Sequence, residues 1–218
     1  MYSVVKRSTD ILIAGGVLVA MSPLWIAISV VIGLTSGFPI LYHAQRLGKD
    51  GALFTMYKFC TMRGGQGPGI TGAGDPRVTS VGRVLRQWKL DELPQLVNVI
   101  LGDMSLIGPR PEDPRYLESY SLRQRAVLSV RPGITGPTQI LFRHEERLLR
   151  GPDIDARYRS WLLPKKLDVD LGYVENQSVV SDFGYLFKTL VSLFRSSGEF
   201  KMEDAGPEPV SLGDGGNA

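Results

Sequence analysis

The longest pattern in the chain is an uncharged apolar run near its N-terminus. Residues 11–34 read ILIAGGVLVAMSPLWIAISVVIGL and contain no Asp, Glu, Lys or Arg over 24 positions. As a helix this run is about 36 Å long at 1.5 Å per residue, enough for a hydrocarbon core of about 30 Å. The pattern therefore predicts a segment that enters a bilayer. A cleaved signal peptide is the alternative, but its apolar region usually has only about 7 to 15 residues.

Two features of the sequence bear on the topology of this segment. Pro23 lies in mid-segment, where it lacks an N–H and clashes with the carbonyl of Val19, so a kink is predicted at Ser22-Pro23. Positive charge marks both flanks as cytoplasmic, and the residues concerned are Lys6, Arg7, Arg46, Lys49, Lys58 and Arg63. A helix that bends and returns to the same leaflet satisfies both flanks. A kinked spanning helix remains the alternative, because prolines are common in such helices.

After the membrane segment, the patterns predict a small mixed domain. Residues 39–45 and 53–59 have strand character and are joined by turn residues 48–51. Apolar side chains at helical spacing predict three helices, over 91–101 (starting at Asp91-Glu92 and closed by Gly102), 116–130 and 183–194. The fold class is therefore α+β, with a membrane-embedded helix and a small, mostly helical domain that contains a short β-hairpin. The predicted boundaries are 1–36, 37–198 and a disordered tail over 199–218, which is rich in Gly, Pro and acids.

Two downstream segments are candidates for contact with the bilayer surface. Residues 183–194 carry a broad apolar stripe, which fits an interfacial helix or, alternatively, an ordinary core helix. Residues 157–166 read RYRSWLLPKK, in which basic residues alternate with Tyr158, Trp161 and two leucines, a mixture suited to the headgroup depth. Both segments are interpreted as amphipathic interfacial helices.

A glycine-rich segment follows the hairpin. Residues 64–74 read GGQGPGITGAG, which is too flexible for regular structure and lacks the Lys-Ser or Lys-Thr of a P-loop. A mobile surface loop and a loop that covers a substrate are the two interpretations.

Composition and charge narrow the class of protein. The chain has 218 residues, of which 43% are hydrophobic and 22% charged, which excludes wholesale disorder and collagen-like repeats. The net charge of +3 suits an anionic partner such as a membrane surface, a phosphorylated substrate or nucleic acid. The single cysteine, Cys60, permits no internal disulfide and no cysteine-based zinc site, so a cytoplasmic domain is expected.

The candidate chemistry centres on an adjacent pair of carboxylates, Asp91 and Glu92, followed by Pro94. Helix capping by Asp91 is the structural alternative to a catalytic role. Four cations lie beside turns or short motifs rather than on a solvated helix face: Lys58, Arg86, Arg110 and Arg131. In GPRP, prolines bracket Arg110 and fix its backbone, which suits a guanidinium that must meet phosphate oxygens.

These residues lie in motifs that resemble the monotopic phosphoglycosyl transferases, bacterial enzymes that initiate glycan assembly on polyprenol phosphate. The resemblance covers about residues 3 to 196. It rests on an N-terminal segment with Ser-Pro and on the strings YKF (57–59), DPRVTSVGRVLR (75–86), LDELPQLVNVILGDMSLIGPRP (90–111), VRPGITG (130–136) and LDVDLGYVEN (167–176). The DELPQLxNVxxGDMSLxGPRP run is highly specific.

The resemblance implies transfer of a sugar 1-phosphate from a UDP-sugar to undecaprenyl phosphate, with release of UMP. It assigns Asp91 as the nucleophile with Glu92 beside it, through a covalent aspartyl phosphosugar and ping-pong kinetics. Mg²⁺ is the implied cofactor, with Asp91, Glu92 and Asp170 as candidate ligands. Lys58, Arg86, Arg110 and Arg131 are the candidate phosphate partners. The family also inserts a re-entrant helix broken at Ser-Pro, here Ser22-Pro23, which implies the cytoplasmic face of the bacterial inner membrane.

Departures from the family pattern fall on the donor side. Cys60 replaces the Arg of YKFRTM, and Pro137, Thr138 and Gln139 followed by ILFRHEE replace WAQVNGR. The sugar is therefore not specified, and His144, Glu145 and Glu146 are either sugar-reading or solvated residues.

An inactive membrane-anchored scaffold is the competing function. A nucleic-acid binder is rejected, because the chain has a membrane segment and no recognised binding motif. A symmetric homodimer is expected only because most homo-oligomers are symmetric dimers; no residue of the sequence requires it.

Overall fold

A computed structural model describes residues 2–64, 74–143, 145, 148–149 and 153–194. The described chain is mixed but mostly helical, with two small two-stranded sheets. The helices are α1 Tyr2–Thr35, α2 Ser80–Gln87, α3 Gln95–Leu101, α4 Pro137–Leu141, α5 Ile154–Arg157, α6 Leu163–Glu175 and α7 Val179–Phe194. The strands are β1 Leu41–Leu47, β2 Leu53–Phe59, β3 Ser105–Ile107 and β4 Gly133–Thr135. The predicted tail, and residues 65–73 of the glycine-rich segment, lie outside the described residues.

The apolar N-terminal run forms one helix, α1, with Pro23 inside it. Within the described chain it is the one helix that is long and apolar enough to cross a membrane, with a mean hydropathy of 2.4 in its 18-residue window. Only 11% of that window is buried, which indicates association with a membrane rather than a place in a protein core. At the proline, the Ser22 hydroxyl donates to the Val19 carbonyl at 2.8 Å, the carbonyl that an N–H at position 23 would have bonded.

Both ends of α1 contact the rest of the protein. Near its start, Arg7 Nη1 donates to the Val99 carbonyl at 2.7 Å. The buried Asp10 carboxylate accepts from Ser105 Oγ at 2.7 Å and from the Leu106 N–H at 3.2 Å. Near its end, Ile28 and Ile32 pack with Phe59 and Leu85 in a separate apolar cluster. Both ends of the helix are thus attached to the rest of the protein.

The hairpin of β1 and β2 is antiparallel, with Leu41 opposite Phe59 and Leu47 opposite Leu53. The predicted strands and turn are confirmed, with β1 beginning and ending two residues later than expected. Asn98 of α3 joins the hairpin to the core: its Oδ1 accepts from the Tyr57 N–H at 3.1 Å and its Nδ2 donates to the Thr55 carbonyl at 2.8 Å. These bonds fix the strand that carries Lys58 against α3.

Strands β3 and β4 form a parallel pair that the sequence did not predict. They place the GPRP segment, which follows β3, next to the VRPGITG segment that contains β4. A Cβ at Gly108 would lie 2.5 Å from the Arg131 carbonyl oxygen, and a Cβ at Gly133 would lie 2.1 Å from the Gly108 nitrogen. Only glycine permits this close approach of the two backbones.

Two sequence predictions are wrong for the second half of the chain. Residues 116–130 form two short 3₁₀ helices, Pro114–Ser119 and Gln124–Ser129, rather than one α-helix. In 157–166, Tyr158, Leu162, Leu163 and Lys166 are buried, three of them in a core cluster with Leu167 and Leu171, so they do not face lipid headgroups. Tyr158 and Leu162 lie in a π-helical turn, Tyr158–Leu162, whereas Leu163 and Lys166 lie in α6.

Helix α7 confirms the helix predicted at 183–194 and extends it to Val179. Its outer face leaves large apolar side chains exposed: Val180, Phe183, Phe187, Leu190 and Val191. Asp182 on its inner face accepts from Tyr173 Oη at 2.6 Å, from Tyr2 Oη at 2.9 Å and from Lys6 Nζ at 2.8 Å. This helix is therefore bonded to the start of α1 on one side and apolar on the other.

Two glycine-to-alanine substitutions should change stability in opposite directions. A Cβ at Gly82 would lie 2.2 Å from the Thr61 carbonyl oxygen, so Gly82→Ala should lower the free energy of unfolding by about 1–3 kcal/mol. Gly172 of α6 has open space at the same position, so Gly172→Ala should raise it by up to about 1 kcal/mol. Urea unfolding of both variants checks this, and equal effects would contradict the close contact at Gly82.

Candidate active site

The predicted acidic pair lies on a short 3₁₀ turn, Leu90–Glu92, between α2 and α3. Lys89 precedes the turn in a left-handed conformation (φ 57°, ψ 21°) that is uncommon for residues other than glycine. Helix α3 begins only at Gln95, so the prediction that it starts at Asp91-Glu92 is wrong by one turn. No side-chain cap bond is made at α3, and Asp91 is therefore not used as its N-cap.

Glu92 forms a close ion pair with Lys58 of β2. The Lys58 Nζ lies 2.8 Å from Glu92 Oε1, and the side chains are 19% and 12% exposed. Burial alone would raise the pKa of Glu92, but the positive charges of Lys58, Lys89 and Arg110 outweigh it and lower this pKa to about 2. Glu92 is therefore a carboxylate at neutral pH, and its pairing brings together two of the residues predicted from the sequence.

Asp91 is buried, and its environment differs from that of its neighbour. Its Oδ1 is fully inaccessible and has no hydrogen-bond partner within the described part of the chain. Burial, together with the negative charge of Glu92, raises the pKa of the Asp91 carboxyl, against the opposing charges of Lys58, Lys89 and Arg86. A buried carboxylate oxygen with no partner is costly, and such groups are characteristic of functional sites.

Arg86 faces this turn from α2. Its Nε donates to the Thr61 hydroxyl at 2.9 Å, which holds the guanidinium beside the end of β2. The Thr79 hydroxyl caps α2 by accepting from the Gly82 N–H at 2.8 Å, and the Thr79 N–H donates to the Thr61 carbonyl at 3.0 Å. Cys60, the first departure from the family pattern, is half-buried, with Sγ 3.5 Å from the Met62 carbonyl.

Arg110 is held at its backbone and at its side chain. Its N–H donates to Asp170 Oδ2 at 3.0 Å, and its Nη2 lies 3.8 Å from Glu145 Oε1. Burial alone would lower the pKa of Arg110, but the negative charges of Glu145, Glu92 and Glu112 outweigh it and raise this pKa above its ordinary value. The guanidinium therefore stays charged. Through Glu92 and Glu145, Arg110 is electrostatically coupled to the acidic pair.

Behind Arg110 lies a buried ionic cluster, defined here as Glu112, Glu145, Tyr158 and Lys166. Lys166 is 1% exposed, and its Nζ lies 2.9 Å from Glu112 Oε1, 2.9 Å from Glu145 Oε2 and 2.8 Å from Tyr158 Oη. Tyr158 Oη donates to Glu112 Oε2 at 2.7 Å. Each member has at least two polar partners or an ion pair, which is what burial of charge requires.

Asp170 and Arg131 are engaged in other contacts. Both oxygens of the buried Asp170 accept hydrogen bonds, one from the Thr138 hydroxyl and one from the Arg110 N–H. Burial raises the pKa of Asp170 to about 7 despite these bonds. Arg131 is exposed, and its Nε donates to the Gly102 carbonyl at 2.7 Å, at the C-terminus of α3. Within the described residues, no three of His, Cys, Asp and Glu are grouped as metal ligands.

Sequence reasoning missed Lys89, whose charge acts on the acidic pair, and Arg143, which contacts the end of α2. The left-handed backbone of Lys89 was not foreseeable from the sequence pattern. Arg143 donates through Nη2 to the Gln87 carbonyl at 3.2 Å, its Nη1 is buried with no partner in the described chain, and burial lowers its pKa. A signal was present, because the Arg that ends WAQVNGR has the same spacing from the GITG motif as Arg143.

His144 and Glu146 lie outside the described residues, whereas Glu145 can be assessed. Glu145 pairs with Lys166 and Arg110, and its side chain is 25% exposed, so it is an ion-paired residue rather than a freely solvated one.

The Glu145 ion pairs should give the protein an acid-sensitive component of stability. Burial raises the pKa of Glu145, but Lys166 and Arg110 lower it to about 2, below the ordinary 4.5. The stabilisation is therefore complete above about pH 5 and is lost as the pH falls toward 2. Urea unfolding across pH 6 to 2 should show a weaker acid dependence in Glu145→Gln than in the wild type. Glu118→Gln, at an exposed position, is the matched control, and an unchanged slope in Glu145→Gln would contradict the pairing.

A buried carboxylate with an unpartnered oxygen, an ionised neighbour and several arginines and lysines is the arrangement expected of an enzyme that acts on phosphate esters. The long apolar helix α1, which contacts the same part of the protein, indicates that this site lies close to a membrane. The family model for bacterial sugar transferases matches residues 1–196, and the chain belongs to this family, which confirms the resemblance seen in its motifs.

Similar proteins support this assignment. The exopolysaccharide production protein ExoY of Sinorhizobium fredii is 35% identical over 213 residues, covering 89% of this chain and 88% of the relative. The UDP-glucose:undecaprenyl-phosphate glucose-1-phosphate transferase of Caulobacter vibrioides is 35% identical over 201 residues, covering 89% and 72%. In Aeromonas hydrophila, the UDP-N-acetylgalactosamine-undecaprenyl-phosphate N-acetylgalactosaminephosphotransferase is 35% identical over 203 residues, and the chain spans 45% of its length. Enzymes whose names include undecaprenyl phosphate are thus among the relatives.

Proposed function

We propose that this protein transfers a sugar 1-phosphate from a UDP-sugar to undecaprenyl phosphate and releases UMP, an early step of bacterial glycan or exopolysaccharide assembly. The observation that carries the proposal is the buried Asp91 carboxylate, whose Oδ1 has no partner among the described residues, set among Lys58, Arg86 and Lys89. The names of the relatives support the substrate classes.

The proposed mechanism uses Asp91 as a nucleophile. A carboxylate oxygen of Asp91 attacks the sugar-linked phosphorus; the Asp–O–P bond forms, the bond to the bridging oxygen breaks, and UMP leaves with the electron pair. A phosphate oxygen of the polyprenol phosphate then attacks the same phosphorus and displaces Asp91. The donor and the lipid phosphate never need to react directly with each other, which predicts ping-pong kinetics.

Cations are required because a carboxylate and a pyrophosphate repel each other. Arg143 has a buried Nη1 without a partner in the described chain, and Arg110 is held charged by Glu145 and Glu92, so both suit the phosphates. Lys58 keeps Glu92 ionised, and the positive charge of Arg86 acts on Asp91.

A divalent cation fits the acidic pair. Asp91 and Glu92 would hold Mg²⁺ together with pyrophosphate oxygens, because this ion is usually bound by one or two carboxylates plus substrate phosphates. The orphaned Asp91 Oδ1 is the observation that suits such a ligand. When bound, Mg²⁺ neutralises charge on the phosphates. Asp170 is omitted from this set because both of its oxygens already accept protein hydrogen bonds.

We also propose that α1 is re-entrant and that the domain lies on the cytoplasmic face of the inner membrane. Arg7 at one end contacts Val99, and Thr35 at the other end accepts from Arg63, so contacts with one domain are about 42 Å apart along the helix. A helix crossing the bilayer would separate these two ends by the hydrocarbon core. The exposed apolar face of α7 supports an interfacial role for that helix.

The topology is tested by cysteine labelling. In a Cys60→Ser background, Tyr2→Cys and Ile40→Cys should both react with an impermeant reagent from the cytoplasmic side of inverted vesicles, and Pro23→Ala should shift the segment toward spanning. Labels on opposite faces in the protein with Pro23 intact would contradict the re-entrant arrangement.

The function is tested by measuring UMP release from a panel of UDP-sugars in detergent with Mg²⁺ and undecaprenyl phosphate. Release that requires both the lipid and one donor is expected. No release with any donor would favour the inactive scaffold, an alternative that the intact Asp91, Glu92 and Arg110 argue against.

A further inference from the structure

The outward face of α2 carries exposed apolar side chains beside the candidate active site. Val84 is 54% exposed and Trp88 is 45% exposed, and they lie one helical turn apart on the same face. Trp88 directly follows α2, and the chain then passes through Lys89 and Leu90 to Asp91. An apolar surface of this kind therefore begins three residues from the proposed nucleophile.

Lys89 adds an unpaired positive charge at the same point. Its half-buried side chain has no hydrogen bond or ion pair within the part of the chain that the structure describes. Its charge nevertheless acts on three carboxyls: it opposes the rise in the pKa of Asp91 and contributes to the lowered pKa values of Glu92 and Glu145. By contrast, Lys58 is already paired with Glu92. Lys89 is thus a cation near the nucleophile that is available to an anionic ligand.

The inner face of α2 connects this surface to the membrane helix. Val81 and Leu85 pack with Ile28 and Ile32, in the half of α1 that follows Pro23. The outer side of the same half is strongly apolar and exposed at Ile26, Val30 and Leu34. The exposed face of α2 therefore adjoins a surface that suits lipid.

We propose that this face is the acceptor subsite: Val84 and Trp88 contact the first isoprene units of the lipid, and Lys89 binds its phosphate. The inference rests on the proposed function and deepens it. An amphiphile whose phosphate must reach Asp91 needs an apolar surface that meets a cation beside the nucleophile and that continues toward the bilayer. The face of α2 combines these three properties, and its charge is complementary to a phosphate.

Steady-state kinetics of the full chain in detergent micelles test the assignment, with undecaprenyl phosphate and a UDP-sugar that the wild type uses. Trp88→Ser should raise the acceptor KM about tenfold and leave the donor KM within about twofold, because the lost apolar contact lies on the acceptor alone. Trp88→Leu keeps an apolar side chain and should restore most of the effect. Lys89→Gln should also raise the acceptor KM about tenfold. Leu122→Ser, at a leucine that is 89% exposed, is the control and should change neither constant.

The outcomes separate this inference from the proposed function. An unchanged acceptor KM in Trp88→Ser, or an equal rise of both KM values, would overturn the acceptor subsite while leaving the transferase activity in place. Weaker binding of Trp88→Ser to acceptor-free phospholipid vesicles, with an unchanged acceptor KM in detergent, would assign the face to bilayer contact and also overturn it. A wild type that shows no acceptor-dependent turnover with any donor would contradict the proposed function and the inference together.

Discussion

Asp91→Asn should lower turnover by about 10⁴-fold or more while leaving the protein folded and membrane-bound. The amide has nearly the shape of the carboxylate but cannot attack phosphorus. The substitution also removes a buried carboxyl group whose pKa is raised by burial and by the negative charge of Glu92. Without Mg²⁺ at pH 7, the melting temperature of the variant should therefore equal or exceed that of the wild type.

Asp50→Asn is a matched control for this prediction. Asp50 lies in the hairpin turn with φ 56°, a conformation that Asn tolerates well, and its side chain is 76% exposed. This variant should keep both activity and melting temperature. Substantial turnover in Asp91→Asn, measured as UMP release, would remove Asp91 from the role of nucleophile.

Lys166→Met should lower the free energy of unfolding by about 3–5 kcal/mol. Lys166 is nearly inaccessible, and its loss leaves the Glu112 and Glu145 carboxylates without their shared counter-ion. The change should also disturb Arg110, which shares Glu145 with Lys166. Urea unfolding in detergent measures the loss.

Two further variants make this prediction specific. Lys165→Met changes the exposed neighbour, which contacts the Trp161 ring by a cation–π interaction at 5.2 Å, and should cost less than about 1 kcal/mol. Adding Glu112→Gln and Glu145→Gln to Lys166→Met should recover part of the lost stability, because no unpaired buried charge then remains. A loss of the same size in Lys165→Met and Lys166→Met would contradict the buried cluster.

The elements that the sequence predicted well are those that local patterns determine. The apolar run at 11–34 lies within α1, the hairpin strands were correct to within two residues, and Gly102 ends α3 with φ 100° as expected. The parallel pair β3–β4 was missed because three-residue strands carry no periodic signal and pair across a long sequence separation.

The break at 116–130 depended on a local exchange that was overlooked. Gln124 Oε1 accepts from the Ser121 N–H at 3.1 Å, and Ser121 Oγ accepts from the Gln124 N–H at 3.2 Å. Side chains thus bind two N–H groups that a continuous α-helix would bond to backbone carbonyls. For 157–166, the sequence offered no sign that Lys166 would be buried, because its partners lie at Glu112 and Glu145. Long-range pairing overrode the amphipathic pattern.

At the candidate site, motif reasoning found the acidic pair and its Lys58 partner but not the full set of cations. Lys58 and Glu92 are 2.8 Å apart although they are 34 residues apart in the chain. Lys89 was missed because its left-handed backbone leaves no signal in the sequence. Asp170 was predicted to be a metal ligand, but its two oxygens accept hydrogen bonds from the Thr138 hydroxyl and the Arg110 N–H. Such roles are determined by tertiary contacts that spacing alone does not reveal.

Intact mass spectrometry tests the central claim most directly. The purified protein, in detergent with Mg²⁺, is exposed to each UDP-sugar without lipid acceptor, and Asp91→Asn is treated in the same way. The account predicts a mass gain of one phosphosugar with the correct donor, absent in Asp91→Asn and lost when undecaprenyl phosphate is added. The same gain in Asp91→Asn, or lipid-dependent turnover of the wild type with no adduct after rapid quenching, would contradict a covalent intermediate at Asp91.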